Sequence, residues 1–480
     1  MNRRMIIAVV GRIVRIEAVL LLLPAIVAAI YRESSFSAFI ITAAAAALGG
    51  TAMILLAHPS NDDIFAKEGF VITALSWIAL SAVGALPFVI SGEIPNYIDA
   101  FFETVSGFTT TGSSILTDVE ALSHGILFWR SFTHWIGGMG ILVLMAAILP
   151  STTGRTMHIL KAEMPGPIIG KLVPRVRDTA KLLYILYLAL TAFEVVFLLF
   201  GGMSLFESLV HAFGTAGTGG FTIKSDGLAG YNHYLQWVII VFMLLFGVNF
   251  NLYYLLLIRR FKAALKSGEL WCYIGIALAS TAVITLNILP MCQGFGDALR
   301  LSGFQVASIV TTTGYSTANF DMWPQLSKTV LFLLMFMGGC AGSTAGGFKV
   351  SRVMLLIKSI RREFKKMLHP RSVGAVRFEG KKLDDRTLHS VNNYLAIYAA
   401  CLVVVVLLLG FEPLGFETNV TAAVTCFNNV GPGFAAIGPM ENFSCYSEFS
   451  KVLLSVAMLM GRLEIYPILF LFSPSVWSRR

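Results

Sequence analysis

The sequence predicts an all-α polytopic membrane protein, with two N-terminal spans followed by four span–pore-loop–span repeats around one central pore. Three observations predict it. The 480 residues are 56% hydrophobic and only 13% charged, with mean hydropathy +0.75, whereas a soluble domain carries about a quarter charged residues. Apolar runs long enough to cross a hydrocarbon core recur along the whole chain. Four shorter segments end in related glycine-centred tetrapeptides: Thr110-Thr111-Gly112-Ser113, Thr218-Gly219-Gly220-Phe221, Thr312-Thr313-Gly314-Tyr315 and Asn429-Val430-Gly431-Pro432.

The expected spans run approximately 14–31, 36–57, 69–92, 126–149, 180–201, 234–258, 271–290, 328–347, 388–410 and 449–472. Each has about 18–25 residues, enough for the bilayer at 1.5 Å per residue. They divide the chain into an N-terminal helix pair (1–68) and pore repeats at 69–165, 178–262, 270–366 and 386–480. The first apolar run is followed at once by another span and lacks a clear cleavage site, so it reads as a retained span rather than a signal peptide. Ten spans put both termini on one side. Basic residues decide which side. Arg3, Arg4, Arg12 and Arg15 open the chain. Arg155, Lys161, Lys171, Arg175, Arg177 and Lys181 lie between the fourth and fifth spans, and Arg259, Arg260, Lys262 and Lys266 follow the sixth. The basic stretch 349–382 follows the eighth, and Arg479 and Arg480 close the chain. Intervening loops hold mostly single basic residues, such as Lys224, Arg300 and Lys328. This asymmetry makes both termini cytoplasmic. It also accounts for the net charge of +9 without a nucleic-acid partner. The basic stretch 349–382 faces anionic lipid headgroups in that topology. The six cysteines show no metal-binding spacing and read as small packing residues.

The four short segments, roughly 97–115, 204–222, 298–316 and 415–435, then fall on the outer side. Each begins near an acid (Asp99 and Glu103, Glu207, Asp297, Glu417), which complements the positive end of a helix dipole. A half-helix of about ten residues would descend, turn at the glycine and climb back. Non-helical backbone at membrane depth is tolerated only where it is buried in protein or lines water. Four such loops suggest a ring of backbone carbonyls, the arrangement that replaces the hydration shell of a potassium ion. The expected ion ligands are Thr110, Thr111 and Gly112, Thr218, Gly219 and Gly220, Thr312, Thr313 and Gly314, and Asn429, Val430 and Gly431. Glycine permits the turn and the close approach of four loops. The competing reading, ordinary extracellular loops, leaves the recurrence in register behind short half-helices unexplained.

Two further signals lie in the later spans. Gly338-Gly339-Cys340-Ala341-Gly342-Ser343-Thr344-Ala345-Gly346-Gly347-Phe348-Lys349 is too rich in small residues to hold a straight helix, each Gly costing about 1 kcal/mol against Ala. Close helix packing is the alternative. The run is not a phosphate-binding loop, because Phe348 separates the last glycine from Lys349 and no βαβ unit surrounds it. Arg462 sits midway along the last span, where a charge must face a cavity or a partner. Glu464, two residues on, points to another helix face and is not expected to be that partner. Arg130 reads as interfacial, His134 as a structural hydrogen-bonding residue, and Glu194 as paired with a helix neighbour that cannot be named from sequence. No arrangement of histidines, serines or carboxylates suggests an enzyme.

With these motifs, FTTTGSS (Phe108–Ser114), GTGGF (Gly217–Phe221), TTTGYST (Thr311–Thr317) and NNVGPGF (Asn428–Phe434), the chain resembles the Trk/Ktr/HKT superfamily of potassium transporters over nearly its whole length. Its ten-span layout is most similar to the bacterial TrkH branch. The resemblance implies potassium uptake through a channel-like pore whose filter is four degenerate loops, K⁺ being the transported ion and no organic cofactor being held. In sodium-permeable plant relatives the first filter glycine is often Ser, so Gly112 implies preference for potassium. The fourth loop departs most from the Thr-rich pattern. The resemblance also implies that the glycine-rich run, with Gly338, Gly339, Gly342, Gly346, Gly347 and Lys349, forms an intramembrane gating loop beneath the filter. GRLE implies that Arg462 faces the pore near it. It implies a homodimer in the bacterial inner membrane, docked on a cytosolic nucleotide-binding ring of the TrkA/KtrA kind. A sodium- or proton-coupled potassium symporter is the alternative.

Overall fold

A computed structural model describes residues 1–58, 66–140, 176–371 and 374–477. The last part of the expected fourth span (141–149) and the basic residues Arg155, Lys161, Lys171 and Arg175 lie outside the described residues, as do Arg479 and Arg480. Among the described residues, six helices are long and apolar enough to cross a membrane: Arg3–Ile30, Ser35–Ala57, Lys67–Ile90, Ala180–Phe200, Gly268–Met291 and Asp385–Leu409. The chain is almost wholly helical. Its described strands are the two-residue pair Arg377–Phe378 and Lys381–Lys382 in the basic stretch 349–382.

The first helix begins at Arg3, well before residue 14, because the Asn2 side chain accepts from Met5 N and caps it. Arg12 and Arg15 therefore lie within the helix and turn away from the core. This helix and Ser35–Ala57 touch backbone to backbone at Gly11 and Gly50, where an added Cβ would come within 3.0 Å of the other glycine's carbonyl oxygen. Four half-helices, Tyr97–Phe108, Leu205–Gly217, Phe295–Val310 and Phe416–Asn428, point inward. Asp99, Glu207, Asp297 and Glu417 occupy their first turns, and Glu207 completes a capping box with Ser204. Glu103 is not an N-terminal acid: it lies in the middle of its half-helix and is buried.

The spans that follow the half-helices are less regular than hydropathy implied. The expected straight span 234–258 is two helices, His233–Phe246 and Phe250–Leu257, bent by 91°. The bend is held from outside. Cys340 N donates to Gly247 O (2.9 Å) and Phe250 N donates to Gly342 O (3.0 Å). Asn249 caps the second piece by accepting from Asn251 N. The span expected at 328–347 is a helix only over Gln325–Met335, and regular structure resumes at Val350–Leu368. The span expected at 449–472 breaks between Glu448–Arg462 and Tyr466–Phe472. Glu464 and Ile465 there adopt φ of 55° and 68°, costly values for a β-branched residue.

Helix His124–Met139 starts where two acids converge. Glu33 accepts from His124 N (2.8 Å), Gly125 N (2.9 Å) and the His124 ring (2.9 Å). Glu93 accepts from Ser123 N (2.9 Å) and Ser123 Oγ (2.7 Å). Burial pushes the Glu33 carboxyl up, but the amides of Gly125 and His124 and the His124 side chain outweigh it and hold it below its ordinary value. Its contribution is thus present above the ordinary carboxylate range and lost as pH falls through the lowered value. Glu33→Ala should lower the thermal stability of the detergent-purified protein, at a cost of roughly 1–3 kcal/mol. The deficit against the parent should be largest near neutral pH and shrink in acid, which melting curves at several pH values would check.

Candidate functional site

The four glycine-centred motifs meet at one place and share one backbone conformation. Each half-helix ends with a residue in the left-handed region: Thr110, Thr218 and Asn429 at φ 55° and Thr312 at φ 57°. The next amide folds back on the half-helix. Thr111 N donates to Ser106 O (2.9 Å), Gly219 N to Gly214 O (2.8 Å), Thr313 N to Ser308 O (2.8 Å) and Val430 N to Thr425 O (2.9 Å). This is the Schellman pattern that closes a helix C-terminus. A positive-φ glycine follows in every loop: Gly112 (81°), Gly220 (79°), Gly314 (83°) and Gly431 (101°). The shared sequence of dihedrals aligns Thr218-Gly219-Gly220 with the Thr-Thr-Gly of the first and third loops. Asn429 replaces Thr at a position where Asn is among the best-tolerated residues.

The four loops close on one another. A Cβ on Gly112 would fall within 3.0 Å of the Gly219 carbonyl oxygen. One on Gly220 would meet that of Thr313, one on Gly314 that of Val430, and one on Gly431 that of Thr111. Each glycine faces the carbonyl just before the next loop's glycine, and the fourth returns to the first. Side chains add to the closure. Asn429 Nδ2 donates to Thr111 Oγ1 (2.9 Å), joining the fourth loop to the first. Thr109–Thr111 and Thr311–Thr313 hydroxyl pairs (2.8 and 2.7 Å) brace the first and third. Two buried oxygens at the left-handed positions, Thr110 Oγ1 and Asn429 Oδ1, have no hydrogen-bond partner among the described residues, an unusual state for buried polar atoms. The same four glycines line a cavity of about 130 Å³ together with Ser113, Arg130 and Phe221.

Beneath the ring lies the glycine-rich run. Gly346 N donates to the Thr312 hydroxyl (2.7 Å), and a Cβ on Gly346 would meet Asn428 O and Asn429 Cβ at 2.8 and 3.0 Å. Non-helical backbone here needs partners, and the chain supplies them. Glu269 accepts from Ala341 N (2.7 Å) and Ser351 N (3.1 Å). Gly338 N donates to Phe348 O (3.1 Å) and Val350 N to Gly339 O (3.2 Å). Lys349 Nζ donates to Ala345 O within the run. Gly342 and Gly347 take positive φ, 75° and 66°. Arg462 donates through Nη1 to Thr344 O (2.9 Å) and through Nη2 to Gly137 O (2.6 Å) and Gly138 O (2.7 Å). It therefore joins the last span, the glycine-rich run and the first repeat. Glu464 pairs with Arg352, not with Arg462, and the Arg352 guanidinium lies 4.1 Å over the Tyr394 ring.

Several residues behave differently from their sequence reading. Arg130 is not interfacial but 3% exposed and ion-paired with Glu103 at 2.5 Å. An intramembrane charge demands a partner, and that rule was the available signal for Glu103. His134 Nδ1 lies 2.8 Å from Gly107 O, and Nε2 accepts from Phe221 N (3.3 Å), so it is hydrogen-bonded between the first half-helix and the second loop. Glu194 is wholly buried, with Thr215 and Tyr315 among its neighbours. Glu269, Thr344 and the Gly137–Gly138 carbonyls carried no local signal at all.

A family model described as TrkH, cation transport protein, matches residues 35–270 and 278–479. The Trk system potassium uptake protein TrkH of Salmonella typhimurium is 37% identical over 488 residues, covering 99% of this chain and 100% of that protein. The Trk system potassium uptake protein TrkG of Escherichia coli is 34% identical over 475 residues, covering 97% of each. The crystal structure of the potassium transporter TrkH from Vibrio parahaemolyticus superposes with TM-score 0.88 at 32% identity, covering both chains entirely.

The loop packing orders the cost of adding a methyl group. Gly431→Ala should be the mildest of the four glycine-to-alanine changes, because its clash with Thr111 O at 2.8 Å is the least severe. Gly112→Ala, Gly220→Ala and Gly314→Ala should each lower the melting temperature further, by overpacking that costs roughly 1–3 kcal/mol in addition to positive-φ strain. Melting of the four purified variants tests the order.

Proposed function

This chain belongs to the TrkH family of cation transport proteins, and from that premise we propose that it takes up potassium through one pore along the axis of the four loops. The observation that carries the proposal is the ring closure: each loop's glycine abuts the carbonyl before the next loop's glycine, and the circuit closes. Backbone carbonyls replace water around an ion without a fixed negative charge, so the ion also leaves. In this reading Thr110, Thr111 and Gly112 and their counterparts, Thr218 to Gly220, Thr312 to Gly314 and Asn429 to Gly431, hold the ion. The orphaned Thr110 and Asn429 oxygens supply further ligands at the inner end. The carbonyl ends of four half-helices aim their negative dipole ends at the same axis. An interior-negative potential contributes about 2.3 kcal/mol per charge per 100 mV, enough to concentrate potassium without a pump. The chain is a transporter and not an enzyme.

The glycine-rich run acts as the gate in this proposal. It occupies the space under Thr312 and Asn429 through Gly346. Arg462 holds it from the side, and its fixed positive charge opposes a cation leaving the filter inward. Conduction requires the Arg462–Thr344 bond and the Gly346–Thr312 bond to yield. The glycines at 338, 339, 342, 346 and 347 give the run its backbone freedom, and Lys349 holds it together by donating to Ala345 O. The repeats at 69–165, 178–262, 270–366 and 386–480 are the proposed units, in an inner membrane with both termini cytoplasmic. A homodimer bound to a nucleotide-binding ring at the basic segment 349–382 is part of the same reading.

Potassium, rubidium and sodium flux into liposomes holding the purified protein tests the pore. Flux should favour potassium and rubidium over sodium, and Gly314→Ser should reduce that preference. Flux that saturates and requires sodium or a proton gradient would instead establish a coupled symporter. For the gate, Arg462→Gln should raise basal potassium flux by about threefold or more, since it removes a partly buried charge and hydrogen bonds that each contribute on the order of 1 kcal/mol. Unchanged or lower flux from folded Arg462→Gln protein counts against the latch.

A further inference from the structure

The four loops differ in what supports their climbing limbs, the residues just after each glycine. The third is held by its own half-helix, with Ser308 Oγ donating to Tyr315 O (2.6 Å). So is the fourth, with Phe434 N donating to Thr421 Oγ1 (3.2 Å). The first relies on Glu103, which accepts from Ser114 Oγ and Ile115 N, both at 3.0 Å. The second is held by another repeat. Arg130 Nη1 donates to Thr222 O (2.9 Å), its guanidinium lies 3.6 Å over the Phe221 ring, and His134 Nε2 accepts from Phe221 N (3.3 Å). Arg130 and His134 sit one turn apart on helix His124–Met139 and face the same loop.

Glu103 and Arg130 are paired through Nε at 2.5 Å, with side chains 0% and 3% exposed. One ion pair therefore fixes the first loop two and three residues past Gly112 and the second loop two residues past Gly220. These are the positions at which the outer rim of the ring is set. Arg130 also lines the outer mouth of the proposed pore, where its pairing with Glu103 offsets a positive charge that would otherwise face incoming cations. A buried pair is weak evidence for stability, since apolar replacement of both partners is often neutral. Its geometry, with Arg130 Nη1 on the second climbing limb and both Glu103 oxygens on the first, is evidence for positioning.

We propose that the Glu103–Arg130 pair is a positioning device that sets the spacing of the first and second pore loops and thereby the discrimination between potassium and sodium. The proposal rests on the potassium-pore reading above. Selectivity depends on where carbonyls are held, whereas a merely structural pair would affect all cations alike.

The test is potassium, rubidium and sodium flux into liposomes holding full-length protein, wild type against two variants. Arg130→Lys keeps the charge but loses the guanidinium fork that reaches Glu103 and Thr222 together. The double variant Glu103→Gln with Arg130→Met leaves no buried charge unpaired, the replacement least costly to the fold. Both should show the potassium-to-sodium flux ratio falling about tenfold while sodium flux is kept or raised, as expected when carbonyl spacing loosens. Equal loss of all fluxes, or a wild-type ratio in either folded variant, overturns the inference and leaves the pore reading standing. If neither variant folds, the pair is a stability element and the inference is overturned. Wild-type protein that conducts without preferring potassium overturns the pore reading, and this inference with it.

Discussion

Four peptide backbones approaching one axis leave no room for side chains, and the rest of the molecule is arranged around that constraint. Gly112, Gly220, Gly314 and Gly431 each turn the place of their absent Cβ toward the next loop's carbonyl. A single methyl group there displaces a neighbour that is itself wedged against another. Interiors are too densely packed to absorb such a shift. The half-helices exist to deliver these turns. Their lengths, their first-turn acids and their shared Schellman ends all serve to stop a helix at the right depth and reverse the chain.

Reversing a chain inside a membrane exposes peptide groups that lipid cannot satisfy, and the structure recruits partners from a distance. Glu269 caps Ala341 and Ser351. The bend after Phe246 exchanges backbone hydrogen bonds with the glycine-rich run. Arg462 collects three carbonyls from two other segments. The distortions of the second and third repeats are therefore coupled, and the Arg462 side chain ties the last repeat to them. The bend at Gly247–Asn249 and the run 338–349 each use groups the other frees, which explains why they face one another. The left-handed Glu464 and Ile465 lie beside the Arg352–Glu464 pair, so backbone strain and a partly buried ion pair sit together next to the Arg462 contact.

The four repeats share a backbone and not a set of side chains. Asn429 takes the left-handed position that Thr takes elsewhere, and it uses its amide to tie the ring to Thr111. The climbing limbs are braced by a carboxylate, a guanidinium with an imidazole, a serine and a threonine. A fourfold ring of carbonyls is thus supported by four unlike scaffolds, which lets one sector change its support without disturbing the carbonyl ring.

Six of the expected spans, the inward half-helices and the alignment of the four motifs were legible in the sequence, because hydropathy, charge bias and glycine spacing are local properties of the chain. In the second loop the left-handed Thr218 and positive-φ Gly220 fall in the same register as Thr110 and Gly112. The glycine-rich run announced a disrupted helix for the same local reason. The 91° bend, the break after Arg462 and the pairing of Glu103 with Arg130 were not legible. Hydropathy alone made straight spans of 234–258 and 449–472 and placed Arg130 at the interface. The sequence by itself determined which segments enter the membrane and where four backbones turn. Only the tertiary structure decided which distant groups satisfy the peptide bonds those turns leave open, because such partners, 118 residues apart for Arg462 and Thr344, are selected by packing and leave no periodic trace.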